Sequence, residues 1–165
     1  INLAKKMKLD APFDRPKKLS TDKAKIGSVI FHAVKWIKKN RNEKYDYLML
    51  LQATSPYRNY LHIDNALKYF FSIPKNKADN LVSVTEAPIK TGWIMKKKKY
   101  NLEFVFKNKA SFRQKLPDFY IPNGAIYLCN LQKFKGSFYT KKTISYVMEK
   151  KYSLDIDDLK DFKYT

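Results

Sequence analysis

Two aspartates spaced two residues apart, Asp155 and Asp157 in Ser153-Leu154-Asp155-Ile156-Asp157-Asp158, are the most suggestive chemistry in this sequence. Side chains alternate along an extended segment, so both carboxylates point to one side while Leu154 and Ile156 anchor the other. Two convergent carboxylates suit Mg²⁺, which usually keeps waters and adds substrate phosphate oxygens. The same run is equally an acidic helix start, where Asp complements the helix dipole. A second constellation is Leu50-Leu51-Gln52-Ala53-Thr54-Ser55-Pro56-Tyr57-Arg58. An apolar strand running into a proline-stopped polar turn puts Gln52 at the strand's carboxyl end, where open α/β sheets bind ligands. The plainer reading is a strand-to-helix loop with Ser55 or Asn59 as cap. A third is Arg113-Gln114-Lys115-Leu116-Pro117, followed by Pro122-Asn123-Gly124-Ala125-Ile126-Tyr127. Arginine is the usual fork for a carboxylate or phosphate. Lys90, just after Pro88, is a further candidate cation, and Asn-Gly before a strand is common turn chemistry.

These residues need elements to hold them. A helix-like segment covers Ile1 to Leu9, and Arg15-Pro16 reads as a loop. Ser20-Thr21-Asp22 offers N-cap oxygens to a helix whose apolar face is Ile26, Val29, Ile30, Ala33, Val34 and Ile37, ending near Lys38. Tyr47 to Leu51 and Leu81 to Val84 are continuous apolar runs suited to strands buried on both faces. Between them a helix is predicted over about Tyr60 to Phe71, with Ile63, Ala66, Leu67, Phe70 and Phe71 inward. Thr91 to Lys97 with Tyr100 to Phe106 forms a lysine-tipped hairpin. Strands follow at Ala125 to Cys129 and Ile144 to Met148, then a short helix over Leu159 to Phe162 capped by Asp157-Asp158. The alternation of strand and helix predicts an α/β fold with a mostly parallel central sheet flanked by helices, in a single domain spanning 1–165.

Composition narrows the classes. The 165 residues are 44% hydrophobic and 15% aromatic, enough apolar material for a core, which excludes disorder of the whole chain. No apolar run approaches the roughly 18–20 residues of a membrane helix. The single cysteine, Cys129, excludes a disulfide framework and a cysteine-built zinc site and suits a reducing, cytoplasmic setting. A net charge of +19 attracts polyanions at low salt. The lysines are nevertheless spread through the chain, as on solvated faces, and no RNA-recognition, KH or zinc-finger spacing is present.

Taken in order, Arg15-Pro16 with Leu19-Ser20-Thr21-Asp22, Leu50-Leu51-Gln52-x-Thr54-Ser55-Pro56-x-Arg58, Arg113-Gln114-x-Leu116-Pro117, Asn123-Gly124-Ala125-Ile126-Tyr127 and Ser153-x-Asp155-Ile156-Asp157 resemble the acylneuraminate cytidylyltransferase family. The resemblance covers nearly the whole chain and starts beyond the family's amino-terminal phosphate loop. It implies a nucleotide-sugar transferase (Rossmann-like) fold, truncated at its amino terminus, that transfers CMP from CTP to a nine-carbon 2-keto sugar acid with release of pyrophosphate. It also implies Mg²⁺ on Asp155 and Asp157, and Lys90 and Arg113 as basic residues of the acceptor-sugar site. Gln52, Asn123 and Tyr127 would meet the sugar, and Arg15 and Asp22 the nucleotide. Phe138-Tyr139 aligns with an aromatic pair that reaches into a neighbouring subunit's site, which implies a homodimer built partly through residues 130–142. The bottom-up alternatives are a non-catalytic remnant and a basic nucleic-acid-binding module. The family reading expects CTP and a nonulosonic acid as partners, with neither a membrane nor a specific nucleic acid.

Overall fold

The computed structural model describes residues 2–87, 94–105 and 118–163. Lys90 and Arg113 lie outside the described residues. Contacts along the chain separate two compact units, Ile1–Asp46 with Leu131–Ser137, and Tyr47–Asn130 with Phe138–Thr165.

In the first unit, helix α1 (Asn2–Lys6) is followed by a 3-10 turn at Lys17–Leu19 and the long helix α2 (Ile26–Arg41). Ser20, Thr21 and Asp22 do not cap α2, contrary to the sequence expectation. The Ser20 hydroxyl donates backward, to the carbonyls of Arg15 (3.3 Å) and Pro16 (3.2 Å). The helix instead starts after extended Lys25, without a side-chain cap, and stops at Asn42 in the left-handed region. Its apolar side buries Ile30, and Phe13 stacks edge-on to His32 and beside Trp36. Arg41 closes a two-pronged ion pair on Asp10. Gly27 lies so close to Gly136 that an added Cβ would stand 2.6 Å from the Gly136 Cα.

The second unit holds a four-stranded sheet in the order β1-β5-β2-β6, with β1 Tyr47–Leu50, β2 Asn80–Glu86, β5 Tyr120–Asn130 and β6 Thr143–Val147. Helix α3 (Tyr60–Ser72) joins β1 to β2, and α4 (Leu159–Lys163) ends the described chain. The sheet is mixed and mostly antiparallel, which corrects the expected parallel one. β5 runs against both β1 and β2, while β2 and β6 are parallel. The reason is the return path of the chain. After β2 the backbone comes back at the same end of the sheet, where the Ala87 N–H donates to the Phe119 carbonyl (2.8 Å), so β5 pairs hairpin-fashion with β2. The separate two-stranded hairpin, β3 (Met95–Lys98) and β4 (Asn101–Phe104), matches the expectation of a lysine-tipped hairpin.

α3 forms where its sequence dictates. Asn59 and His62 make a capping box, the Asn59 side chain accepting from the His62 N–H and His62 Nδ1 accepting from the Asn59 N–H. Steps of three and four then bury Ala66 and Phe70 and half-bury Ile63 and Leu67. They join Leu81, Ala125, Ile126, Leu128 and Met148 in one core. Phe71, expected inward, is mostly exposed, although its ring meets Tyr47 edge-on. Among the described residues no helix is long and apolar enough to cross a membrane.

Candidate active site

Three chain segments meet just past the carboxyl end of β1 in the second unit: the loop after β1, the middle of β5, and the segment after Ser153. Their junction is Gly124. Its φ of +74° lies in the left-handed region that favours glycine, and a Cβ there would stand 2.6 Å from Asp155 Oδ2 and 2.9 Å from Gln52 Oε1. The two side-chain oxygens therefore share the small space that glycine leaves open. A backbone bond from the Ile156 N–H to the Thr54 carbonyl (2.9 Å) ties the aspartate segment to the Gln52 loop.

Asp155 is half-buried, and its Oδ1 is fully shielded from solvent with no hydrogen-bond partner among the described residues. A shielded carboxylate oxygen left unpartnered is costly unless a water, an ion or a ligand meets it. Asp157 is exposed, and its N–H is accepted by Asp161 Oδ2 (3.0 Å). The two carboxylates are thus not equivalent. The helix-start reading of this run is met by other residues: Asp158 Oδ1 accepts from the Lys160 (2.7 Å) and Asp161 (2.9 Å) N–H groups. Capping of α4 belongs to Asp158 and Asp161, and Asp155 stands outside it.

Asn123 is buried at 3% exposure and is the hub that holds Gly124 in place. Its Oδ1 accepts from the Ser83 hydroxyl (2.6 Å) and the Ala125 N–H (3.3 Å). Its amide nitrogen donates to the Ser153 hydroxyl (2.9 Å) and toward the Met148 sulfur (3.4 Å). Ser83 in turn accepts from the Ile126 N–H (2.7 Å). With its amide engaged at both ends inside the protein, Asn123 orients the site from beneath. Ser83 and Ser153 were not singled out for this from sequence; a lone serine within the apolar run Leu81 to Val84 was the available signal.

Tyr127 sits in β5 opposite Leu50 of β1 and Val82 of β2. Burial raises its phenol pKa, helped by a hydrogen bond with Tyr139 and by the negative charge of Asp155. Phe138 is buried at 3% exposure, with its ring centroid 5.1 Å from that of Tyr127. Tyr139 is exposed, yet its hydroxyl meets Tyr127 of the same chain.

The structure brings together Gln52, Gly124 and Asp155, with Asn123 beneath, and groups Tyr127 with Phe138 and Tyr139. Arg15 and Asp22 belong to the first unit, where both are exposed. Among the described residues no group of three His, Cys, Asp or Glu side chains could hold a metal. Cys129 is buried, its thiol pushed up to about 11 by burial, and is inert as a nucleophile at neutral pH.

No protein-family model matches the sequence. Individual curated proteins do. An N-acylneuraminate cytidylyltransferase of Streptococcus agalactiae serotype III is 34% identical over 90% of this chain and 35% of its own length. That of Escherichia coli O18:K1:H7 is 34% identical over the same shares. A pseudaminic acid cytidylyltransferase of Campylobacter jejuni serotype O:2 is 28% identical over 99% of this chain and 71% of its own length. The chain thus spans about a third of the length of the N-acylneuraminate enzymes it matches. The motifs that meet at Gly124 and the aligned relatives agree: this chain is similar to the acylneuraminate cytidylyltransferases.

Proposed function

We propose that this chain carries the acceptor side of a cytidylyltransferase centre, in which CMP passes from CTP to a nonulosonic acid. The observation that carries the reading is the convergence of Gln52 Oε1 and Asp155 Oδ2 over Gly124, with Asp155 Oδ1 shielded and unpartnered. The relatives' names, N-acylneuraminate and pseudaminic acid cytidylyltransferase, point to the substrate class.

In the reaction, the anomeric hydroxyl of the sugar attacks the α-phosphorus of CTP and pyrophosphate leaves. Such a displacement asks for positioning and charge neutralisation more than covalent chemistry by the protein. Gln52 would hydrogen-bond the sugar, with the Tyr127 and Tyr139 phenols as further donors. The fold this reading requires is of the nucleotide-sugar transferase (Rossmann-like) type. Lys90 and Arg113 would supply cations for the sugar carboxylate, and Arg15 and Asp22 contacts to the nucleotide. A homodimer in the cytoplasm belongs to the same reading.

In this reading Asp155, with its unpartnered oxygen, and Asp157, exposed close by in sequence, would hold Mg²⁺, an ion that keeps waters and takes substrate oxygens. When bound, the ion would polarise phosphate oxygens and neutralise their charge. The test is pyrophosphate release with CTP, Mg²⁺ and a panel of N-acetylneuraminic, legionaminic and pseudaminic acids. Release that needs both the sugar acid and Mg²⁺ supports the reading. Release indifferent to the sugar, or none with any of them, overturns it.

A further inference from the structure

We infer that Arg58 is a positioning residue that fixes the acceptor side of this site through the backbone, an inference that rests on the proposed function. Arg58 lies six residues beyond Gln52, just before α3. Its Nη1 donates to two main-chain carbonyls, that of Gln52 and that of Ala125, each at 2.9 Å. One carbonyl belongs to the residue whose side chain shares the space above Gly124, and the other to the residue directly after Gly124. The guanidinium thus bridges the loop after β1 to the middle of β5 at the point where the two must stay in register.

The setting supports a built bridge. Arg58 is partly buried, and that burial alone lowers its pKa. Both bonds leave the single nitrogen Nη1, which the rigid guanidinium plane holds one bond beyond the reach of a lysine Nζ. The loop is also tied to the site through the Thr54 carbonyl, which accepts from the Ile156 N–H. Loss of the bridge lets the Gln52 backbone drift relative to Gly124 while leaving the Asn123 hub intact.

The experiment uses the full chain with Arg58→Lys and Arg58→Gln. Steady-state pyrophosphate release with N-acetylneuraminic acid and CTP is expected to show a sugar-acid KM raised about 5–20-fold, with the CTP KM within about 2-fold of wild type. Arg58→Lys, which keeps the charge, is expected to rescue little. A change in the CTP KM alone, or full rescue by lysine, overturns the inference. A second readout does not depend on turnover: nuclear magnetic resonance of the ¹⁵N-labelled chain. Slowly exchanging Arg58 guanidinium protons, and Arg58→Lys shifts centred on Gln52, Gly124 and Ala125, are expected. A wild-type chain that releases no pyrophosphate but shows these signals defeats the proposed function and leaves the bridge standing. A freely exchanging guanidinium defeats the bridge itself.

Discussion

Gly124→Ala tests the site with a single methyl group. The backbone there has φ +74°, where a residue with a Cβ costs about 1–2 kcal/mol more than glycine. The new Cβ would also stand 2.6 Å from Asp155 Oδ2 and 2.9 Å from Gln52 Oε1. Ordinary contact needs somewhat over 3 Å, so the carboxylate must retreat by roughly half an ångström or more and the amide by a few tenths. Asp155 has little room to retreat, because its Oδ1 is already fully shielded by the protein. Together these give a loss of about 1–3 kcal/mol, or a Tm lower by about 3–9 °C for a chain of this size. A displaced reactive group costs on the order of 10²-fold in rate per ångström, so turnover should fall about 10–100-fold. Thermal unfolding and pyrophosphate release, run on one preparation, read both. A variant with wild-type Tm and wild-type turnover would refute the geometry. Lower Tm with unchanged turnover would place the strain correctly and the chemistry elsewhere.

Other expectations follow from the same packing. Gly27→Ala drives a Cβ into the Gly136 backbone and should cost about 1–3 kcal/mol, read as a lower urea midpoint; an unchanged midpoint would contradict the close approach. Asn123→Ala orphans buried partners and should cost about 2–3 kcal/mol, with new chemical shifts at Ser83, Ala125 and Ser153. His62 should confer a pH dependence. Burial lowers its pKa from 6.5, against the pull of Glu149, and its Nδ1 must stay unprotonated to accept from Asn59. The unfolded chain therefore takes up the proton first, so this stability is complete above about pH 6.5 and is lost as pH falls through the folded value. A fall in Tm between pH 7 and 5 should be flattened in His62→Gln; an equal slope in both would remove His62 from the account.

Much of the second unit was legible because it obeys strong local rules. Contiguous apolar runs gave β1 and β2, helical spacing gave α3, and a lysine-tipped turn gave the hairpin. Strand direction was not legible. Whether β5 pairs parallel or antiparallel is decided where Phe119 meets Ala87 beside the end of β2, and no local pattern in β5 encodes that. The α2 start was misread because Ser20 carries good capping chemistry but satisfies carbonyls behind it. The inward turn of Phe138 to Tyr127 was not legible either, because its neighbours Ser137 and Tyr139 are exposed and no local period marks it. Gln52, Gly124 and Asp155, which the structure brings together, lie in runs that the sequence singled out by motif. The Asn123 and Arg58 contacts were not legible, since hydrogen bonds across 40 and 67 residues of chain leave no periodic trace.

The most direct measurement is formation of the CMP-sugar phosphodiester, followed by ³¹P nuclear magnetic resonance, from CTP, Mg²⁺ and a nonulosonic acid with the wild-type chain and with Asp155→Asn. Asn keeps the shape of the side chain above Gly124 and removes its charge. The account predicts a phosphodiester signal from the wild type and its loss in a folded Asp155→Asn chain. Equal product from both would contradict it.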